Sequence, residues 1–326
     1  MYYVIVNPAS RSGKGRKIWE DLRRELDRQE EEYRYYFTRP ERDAGKLAAC
    51  ILRKEKETAD VILFGGDGSM NELLQGVAAL GENAFERLRL FYIPSGSASD
   101  LARALALPKD PKKSLARILA AKRGETENAV SEHPTDIGVL EFCDAEKKEY
   151  NGTKRYFIVS AGIGFDAAVC AEVAASPLKK FFNRMGLGGL SYGFICIKNL
   201  LAAPRNDAEL ILDRRQVFKA KNCLFVTIMN HKFQGGGVMF TPEAVSDDGL
   251  LDYCYTDGIS RAKVLGIFPK VYKGRHVGTK GIMIGRAGQL VVTFPEHLWV
   301  HTDGEVRTRA RAIGAKCLPG RLRLLV

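Results

Sequence analysis

The sequence predicts an α/β part with a parallel sheet over residues 1–125 and a mainly antiparallel β part over residues 126–326. Up to residue 123, short apolar runs alternate with helical patterns, which is typical of a parallel sheet with helices on both faces. After Arg123-Gly124-Glu125 this alternation stops and strand-like runs dominate. The chain is long enough for two cores, and its last strand is a candidate for packing back on the first part.

The first part is predicted to alternate strands with helices from its first residues. Residues 2–6 and 61–64 are uninterrupted apolar runs, as expected of strands that are buried on both faces. After the first strand, Ile18, Leu22 and Leu26 recur every four residues and define the apolar face of a helix. The full prediction is strands at 2–6, 33–38, 60–64 and 89–93, with helices at 15–30, 43–56, 69–80, 98–106 and 112–122.

The second part contains strand-like runs separated by long stretches with few helical patterns. Its main predicted helix lies within residues 178–201. The predicted strands are residues 137–142, 155–160, 209–213, 223–229, 250–255 and 289–294. Together these runs indicate an antiparallel β domain.

Composition is that of an ordinary globular protein, with 45% apolar and 27% charged residues. Seven scattered cysteines without a Cys-x-x-Cys pair argue against a disulfide framework or a zinc site and favour a reducing cytosol. The five histidines show no metal-ligand spacing and are interpreted as surface or ordinary polar residues. The sequence shows neither a signal-peptide pattern nor eighteen consecutive apolar residues, so a cytoplasmic protein is expected.

The turn after the third strand is the most informative segment. It reads Gly65-Gly66-Asp67-Gly68-Ser69. Three glycines at a strand-to-helix turn let the backbone approach a bulky anion, and the helix start supplies free N–H groups. Asp67 would repel phosphate unless a cation lies between them, and Mg²⁺ binds one or two carboxylates together with phosphate oxygens. A plain tight turn is the alternative, but it requires neither three glycines nor an acid among them.

Two further loops have the same strand, polar loop, helix arrangement. One follows the first strand and the other follows the fourth strand. Because such loops emerge at the same edge of a parallel sheet, all three are expected to surround one nucleotide. The residues of interest in these two loops are Asn7, Pro8, Ser10 and Gly13, and then Gly96 and Ser97.

The ordered set of motifs resembles the diacylglycerol kinase catalytic domain family, which includes soluble bacterial lipid kinases and the sphingosine and ceramide kinases. The resemblance covers essentially the whole chain. The Gly-Gly-Asp-Gly element alone is shared with NAD kinases and 6-phosphofructokinases, so the fold of the first part is expected to be similar to theirs. The motifs are Asn7-Pro8-x-Ser10…Gly13, Gly65-Gly66-Asp67-Gly68-Ser69…Asn71-Glu72, Pro94-x-Gly96-Ser97…Asp100-x-Ala102-Arg103, Gly162-Ile163-Gly164-Phe165-Asp166-Ala167, Gly235-Gly236-Gly237…Pro242-x-Ala244, Asp247-Asp248-Gly249-Leu250-Leu251-Asp252 and Asp303-Gly304-Glu305.

The resemblance implies an ATP- and Mg²⁺-dependent kinase that transfers the γ-phosphoryl group to a hydroxyl of diacylglycerol or a related lipid. It implies that the segment containing Glu72 contacts ATP. Thr38, at the end of the second strand, is placed similarly, although an ordinary strand-end hydroxyl explains it nearly as well. The third loop departs from the commonest family pattern, because Ser97 replaces a frequent Thr and Ser99 replaces a frequent Asn. The second change removes an amide that could bind the nucleotide or the loop.

Two acids are candidates for the general base. The Asp-Gly turn before Glu305 would present this acid in a loop after a strand ending at Val300, and the resemblance places it facing the nucleotide. Asp67 is the rival, as the sphingosine kinases suggest. Without the resemblance, Glu305 would be interpreted as a solvated turn residue.

A second cation site is implied only by the resemblance to bacterial members. It would be a structural Mg²⁺ bound by Asp248 and by the carbonyls of Val245 and Leu250. The alternative is a turn in which the aspartate caps its own backbone.

The net charge of +11 is unevenly distributed. Residues 256–326 hold thirteen basic and four acidic residues, and residues 178–221 hold nine and three. Anionic lipid headgroups attract such surfaces by roughly 1 kcal/mol per basic residue, and a solvated basic face is the alternative. The candidate contact pairs cations with aromatics: Lys179, Lys180, Phe181, Phe182 and Arg184. We therefore expect transient peripheral contact with an anionic membrane and, since no nucleic-acid-binding motif is present, no nucleic-acid partner.

Besides a nucleic-acid-binding protein, which charge alone suggests, two other classes stay open at this point. One is a kinase of a soluble metabolite, of the NAD kinase or phosphofructokinase type. The other is a non-catalytic lipid-binding protein that kept the fold, against which the presence of Asp67 and Glu305 argues. The oligomeric state is also open, with a homodimer as one option.

Overall fold

The structure is a computed structural model that describes residues 1–39, 43–96, 99–125, 129–143, 150–175 and 188–326. One mixed sheet of 14 strands runs through these residues and joins the two predicted parts. The predicted fold class is confirmed: the first part is α/β with parallel strands, and the second is mainly antiparallel β.

Within the described residues, the first part contains four strands and six helices, joined in the predicted alternation. A 3₁₀ helix, Glu82–Arg87, precedes the fourth strand. The strands are β1 (Tyr2–Val6), β2 (Tyr33–Phe37), β3 (Ala59–Gly65) and β4 (Leu88–Pro94), and the helices are α1 (Ser10–Gly13), α2 (Gly15–Arg28), α3 (Asp43–Lys54), α4 (Asp67–Ala78), α5 (Asp100–Ala104) and α6 (Pro111–Lys122).

The four strands lie in the order β4-β3-β1-β2, and all of them run parallel. Two apolar clusters cover opposite faces of this sheet. On one face Trp19, Leu22 and Leu26 of α2 pack on the strands, and on the other face α3 and α4 pack there, with Leu73 among the buried residues. The strand order reverses at β1, because β2 lies on one side of it and β3 on the other, so the crevice for a ligand opens at the carboxyl ends of β1 and β3, after Val6 and Gly65.

The second part contains ten strands and three described helices. Its strands are β5 (Glu132–Cys143), β6 (Tyr150–Phe157), β7 (Ser160–Gly164), β8 (Asn206–Leu212), β9 (Gln216–Cys223), β10 (Phe225–Met229), β11 (Leu251–Thr256), β12 (Ile282–Ala287), β13 (Gln289–Thr302) and β14 (Glu305–Leu325), and its helices are α7 (Phe165–Ala175), α8 (Gly188–Ala202) and α9 (Arg261–Val271).

Strand β14 links the two parts. Its first half pairs antiparallel with β13, and residues 313–325 pair with β5. Its last residues, Arg323–Leu325, lie parallel to Arg89–Phe91 of β4. The C-terminal strand therefore extends the nucleotide-side sheet directly.

Several elements differ from the sequence-based expectation. Strands β7, β9 and β12 and helices α1, α7 and α9 lie outside the predicted set. Strand β13 continues to Thr302, so Glu305 begins a strand rather than lying in a loop. The interpretation of the histidines as surface residues is wrong for three of the five: His231, His276 and His301 are buried. None of the helices in the described ranges has the length and apolar character to cross a bilayer.

Candidate active site

The loops after β3 and β4 meet backbone to backbone. A Cβ atom built on Gly66 would lie 2.8 Å from the Cα of Gly96, and one built on Gly96 would lie 2.8 Å from the Cα of Gly66. Real Cβ atoms do not approach so closely, so both positions require glycine for steric reasons. The two loops therefore form one continuous surface at the sheet edge.

Asn7 ties the loop after β1 to this surface. Its Nδ2 donates to the Oγ of Ser69, at 3.0 Å, and its Oδ1 accepts from the backbone N–H of Ala9, at 3.0 Å. Gly65 lets Ser69 come close, because a Cβ there would lie 2.7 Å from the Ser69 Cβ. Asn7 therefore orients the first loop against the start of α4.

The same loop is strained. Arg11 and Ser12 have positive φ angles of 49° and 58°, and Gly13 follows with φ 90°. The Ser10 hydroxyl is buried and has no hydrogen-bond partner among the described residues. The Pro8 carbonyl accepts from the backbone N–H of Arg16, at 3.2 Å, and so anchors the loop to α2. Unfavourable backbone conformations of this kind cluster where a ligand is held.

The start of α4 is open to an anion. Its N-cap residue is Gly66, in an extended conformation and without a side chain to cap the helix. The first amides of a helix have no partner within it, and they carry the positive end of the helix dipole. The backbone at Gly68 and Ser69 can therefore bind phosphate oxygens, and Glu72 lies one turn further along the same helix.

Asp67 is held at the start of α4 by the third loop. Its Oδ2 accepts from the backbone N–H of Asp100, at 2.9 Å. Burial, with the carboxylates of Asp100 and Asp303 nearby, raises the pKa of Asp67 to about 6. The buried Tyr92 hydroxyl lies beside it, and burial together with Asp67 raises the pKa of Tyr92 well above 10.0.

These features fit a bound cation. The Oδ1 of Asp67 is buried and has no hydrogen-bond partner among the described residues. The carboxylates of Asp100 and Asp303 lie near Asp67. The described residues nevertheless contain no group of three acid, histidine or cysteine side chains placed to bind a metal by themselves. Mg²⁺ commonly needs only one or two carboxylates, with water and phosphate oxygens completing its shell. Asp67 can therefore hold Mg²⁺ directly or through water.

Asp100 connects the third loop to the glycine turn at residues 235–237. Its Oδ2 accepts from the backbone N–H of Gly236, at 2.8 Å, and its Oδ1 lies 3.3 Å from the guanidinium of Arg103. A Cβ on Gly237 would lie 2.2 Å from that guanidinium, so the turn accommodates the arginine only because it lacks side chains. This contact fixes the β domain against the third loop.

Glu305 faces the phosphate loop from the β domain. It follows a two-residue turn in which Asp303 and Gly304 have φ angles of 50° and 80°, as expected for the type I′ turn of a tight hairpin. A Cβ on Gly68 would lie 3.5 Å from the Oε1 of Glu305. Arg307 lies 3.6 Å from the other carboxylate oxygen. The structure therefore brings together the two acids singled out in the sequence.

Asp303 holds the turn in place, a role that its sequence position did not indicate. Its carboxylate accepts from the backbone N–H groups of Ile158, Val159 and Ser160, at 3.1, 2.8 and 3.0 Å. It also accepts from the Nδ2 of Asn71, at 2.9 Å. Burial raises the pKa of Asp303, and these donors oppose that rise. Asn71, on α4, is buried and connects the helix to the turn instead of facing solvent.

The remaining nucleotide-side candidates lie along the same edge or outside the described residues. Thr38 follows β2, and its backbone N–H donates to the Val6 carbonyl at 2.8 Å. Ser97 lies outside the described residues. Ser99 adopts φ 51°, and its hydroxyl donates to the Gly96 carbonyl at 3.0 Å. Asn adopts this left-handed conformation more readily than Ser, so the departure from the commonest family residue costs backbone energy here.

The turn proposed to hold a structural cation is satisfied by protein groups. The Oδ1 of Asp248 accepts from the backbone N–H of Leu250, at 3.0 Å, while its Oδ2 lies 3.7 Å from the guanidinium of Arg286. Arg286 also donates to Asp252, at 3.0 Å. Val245 is exposed. This is the self-capping turn expected as the alternative, and Arg286 supplies the positive charge. The structural Mg²⁺ with the Val245 and Leu250 carbonyls stays a prediction that these contacts do not favour.

Glycine loops at the edge of a parallel sheet, faced by an acid from an antiparallel β part, define the fold class expected from the sequence. The chain belongs to the diacylglycerol kinase catalytic domain family: that family model matches residues 1–129. The YegS C-terminal NAD kinase beta sandwich-like domain matches residues 158–326. The resemblance found in the motifs is thereby confirmed.

The chain is similar to named relatives along most of its length. A diacylglycerol kinase of Mycobacterium tuberculosis (strain ATCC 25618 / H37Rv) is 29% identical over 265 residues, which are 81% of this chain and 75% of that protein. A diacylglycerol kinase of Bacillus subtilis (strain 168) is 26% identical over 304 residues, 93% of this chain and 88% of that protein.

Solved structures show the same fold. A diacylglycerol kinase structure from Bacillus anthracis str. Sterne has a TM-score of 0.67 at 19% identity and covers 99% of this chain and 96% of that chain. A yeast NADH kinase complexed with NADH has a TM-score of 0.52 at 9% identity and covers 100% of this chain and 82% of that chain. The NAD kinase-like architecture expected from the sequence is confirmed.

Proposed function

We propose that the protein is an ATP- and Mg²⁺-dependent lipid kinase that transfers the γ-phosphoryl group to a hydroxyl of diacylglycerol or a related lipid. The observation that carries this proposal is the position of Glu305 beside Gly68: a Cβ atom added to this glycine would lie 3.5 Å from the Oε1 of Glu305. A hydroxyl that attacks the terminal phosphate needs a base beside the loop that holds the phosphates, and Glu305 occupies that position.

The roles of the residues follow from this geometry. The backbone from Gly65 to Ser69, with the loops at Asn7 and Gly96, binds the nucleotide phosphates. Glu305 accepts the proton of the acceptor hydroxyl while the new O–P bond forms and the bond to the leaving ADP breaks. Asp67 is assigned to the cation, because its free oxygen and its pKa of about 6 suit a site that becomes positively charged. Bound Mg²⁺ would neutralise phosphate charge during transfer.

A lipid acceptor is supported by apolar space beside the site. Two adjoining cavities in the β domain share the lining residues Phe165, Val238, Phe240 and Phe268. One of them is also lined by Gly235, next to the Gly236 amide that binds Asp100. These aromatic and aliphatic walls end near the third loop and are of the kind that contacts an acyl or isoprenoid chain. The enclosed volumes are about 20 and 40 Å³, so the walls would have to move apart to admit such a chain.

The decisive experiment is a transfer assay with γ-labelled ATP and mixed micelles that carry a panel of lipids, with products identified by mass spectrometry. Diacylglycerol or a related lipid should be phosphorylated, and NAD and fructose 6-phosphate should not. Asp67→Ala should abolish transfer while the fold survives. Transfer to NAD, or none to any lipid, would overturn the proposal in favour of the soluble-metabolite kinase or the non-catalytic binding protein.

The assignment of the base is tested separately. Glu305→Gln should lower kcat by roughly 10²–10⁴-fold, the usual size of a general-base contribution. The ATP affinity should change little, because the acid faces the acceptor side. A Glu305→Gln variant that keeps most of its kcat would move the role to Asp67.

Access to a bilayer lipid requires transient contact with an anionic membrane from the cytoplasmic side, which we include in the proposal. The candidate contact at residues 179–184 lies outside the described residues. Replacing Lys179, Lys180 and Arg184 with Glu should weaken binding to anionic vesicles and raise the KM for vesicle-borne lipid, while turnover of a short-chain soluble analogue stays near wild type. Because exposed charges are screened beyond about 10 Å at 0.1 M salt, wild-type binding should weaken as salt rises. Unchanged vesicle binding would assign the segment to an ordinary solvated face.

A further inference from the structure

A buried polar cluster lies behind the turn that carries Glu305. Its members come from four separate elements of the β domain, and all are buried: Asp166, Thr227, Gln234 and His301. Polar groups in such a place are retained at a cost, because each loses its hydration and must find partners inside the protein. None of them belongs to the phosphate loops or to the acids assigned above.

His301 contacts both ends of this cluster. Its Nδ1 accepts from the backbone N–H of Gly304, at 3.3 Å. Its Nε2 lies 3.1 Å from the Oδ2 of Asp166. Since Nδ1 is the acceptor, the hydrogen-bond network assigns the proton to Nε2, which donates it to the aspartate. Asp166 is itself fixed, because its Oδ1 accepts from the backbone N–H of Ala167 at 2.8 Å.

A glycine makes room for the pair. A Cβ on Gly162 would lie 2.2 Å from the Oδ2 of Asp166 and 2.8 Å from the Nε2 of His301. Gly162 lies opposite His301 in the pairing of β7 with β13. Any other residue at this position would separate the histidine from the aspartate.

The cluster reaches from the apolar cavity to the site of the general base. Asp166 and Gln234 line the cavity together with Phe165 and Phe240. The Gln234 side-chain amide lies 3.3 Å from the same nitrogen of His301 that contacts Asp166. Because that nitrogen carries the proton, the amide is assigned with its oxygen toward His301 and its nitrogen toward the Thr227 hydroxyl. At the other end, the amide held by His301 belongs to Gly304, the residue directly before Glu305.

We propose that His301 is a positioning residue that couples occupancy of the apolar cavity to the orientation of Glu305. Because this cavity encloses only about 20 Å³, a chain that enters it must displace the wall formed by Asp166 and Gln234, and Asp166 contacts the imidazole that fixes the turn. This inference rests on the proposed lipid kinase function, and it predicts that turnover depends on how well the acceptor chain fills the cavity.

Two substitutions separate the two contacts of His301. In His301→Asn, the side-chain oxygen can take the place of Nδ1 and keep the Gly304 contact while the contact with Asp166 is lost. In His301→Gln, the longer amide can reach Asp166 but leaves the Gly304 amide without its acceptor. Because a misplacement of about 1 Å can cost about 10²-fold, we expect His301→Gln to lose on the order of 10²-fold in kcat, with the KM for ATP unchanged.

His301→Asn should keep the basal kcat measured with short-chain acceptors but lose the rise in kcat that long-chain acceptors produce in the wild type. Asp166→Asn keeps the shape of the side chain but removes its charge. It should lose a smaller part of the rise in kcat that long-chain acceptors produce. His133→Gln is the matched control, because His133 lies on β5 beside Ser246, away from the hairpin. It should leave all these parameters unchanged. Equal kcat values and equal chain-length profiles for the two His301 variants would overturn the proposal.

Amide hydrogen exchange at Gly304 tests the geometry without any activity. The Gly304 amide should be protected in the wild type and in His301→Asn and should exchange faster in His301→Gln. A wild type that shows this protection but phosphorylates no lipid would refute the proposed function and keep the contact. Unprotected Gly304 in the folded wild type would refute the contact itself, whatever the activity.

Discussion

Asp67→Asn should make the protein more stable while abolishing its activity. The pKa of Asp67 is raised from 3.8 to about 6, chiefly by burial. A shift of one pKa unit corresponds to about 1.4 kcal/mol, so ionisation of Asp67 at neutral pH costs the fold up to about 3 kcal/mol. Because the residue is partly exposed, we discount this figure to about 1–3 kcal/mol. Asn keeps an oxygen that can accept from the Asp100 amide and carries no charge.

The sign of the pH dependence follows from the direction of the shift. A carboxyl group with a raised pKa in the folded state contributes stability below its unfolded pKa of 3.8 and loses it as pH rises through about 6. The Asp67→Asn variant does not titrate at this position. Its advantage over the wild type should therefore be small near pH 4, grow through pH 6 and level off above pH 7.

The assay is thermal unfolding of both proteins at several pH values without nucleotide or Mg²⁺. Since 1 kcal/mol shifts the Tm of a domain of 150–250 residues by roughly 2–4 °C, the gain at pH 8 should be roughly 2–12 °C. The exposed Glu296 provides the control, because Glu296→Gln should show no such pH-dependent gain. A Tm difference that is absent at pH 8, or equal at pH 4 and pH 8, would refute the assignment of a buried, destabilising carboxylate.

Three further variants test other contacts. Gly66→Ala should raise the KM for ATP and destabilise the fold by about 1–3 kcal/mol, because its new Cβ overpacks against Gly96. The new Cβ of Gly68→Ala makes only an ordinary 3.5 Å contact, so this variant should retain the fold, and equal unfolding curves for the two variants would contradict this reasoning. Asp303→Asn replaces an acceptor by a donor in front of N–H groups and should cost about 1–3 kcal/mol or more in chemical denaturation; an unchanged midpoint would contradict it. Arg286→Met, made in the Asp67→Asn background so that the proposed active-site ion does not contribute, should make the Tm depend on Mg²⁺, because it removes the cation beside Asp248. A Tm of Asp67→Asn alone that already rises with Mg²⁺ would restore the structural ion.

The nucleotide side of the site could be predicted because its signals are local. The apolar run of β3, the three glycines and Asp67 are consecutive in the chain, and glycine is required there for close backbone approach. The edge at which the loops meet follows from the parallel sheet alone. The alternation of strands and helices in the first part was predictable for the same reason, since each element carries its own pattern.

The rest depends on contacts between distant residues. His301 and Asp166 are 135 positions apart, and the bonds of Asp303 join it to residues more than 140 positions away. No spacing in the sequence indicates such pairs, so the histidine was interpreted as an ordinary polar residue. Helix α7 was missed because its residues, from Phe165 to Ala175, are mostly apolar on all sides, and a helix of that kind has no amphipathic period.

The long strand β14 has a mechanical consequence. Glu305 stands at its first residue, and Arg323–Leu325 at its far end are hydrogen-bonded to β4 in the sheet that supports the phosphate loops. A rigid-body rotation of the first part against the second would have to break the hydrogen bonds between β14 and its neighbouring strands. The position of Glu305 over the glycine loops is thus fixed by one continuous strand. If the proposed function holds, we expect substrates and products to pass by movements of loops and side chains and not by a hinge between the two parts.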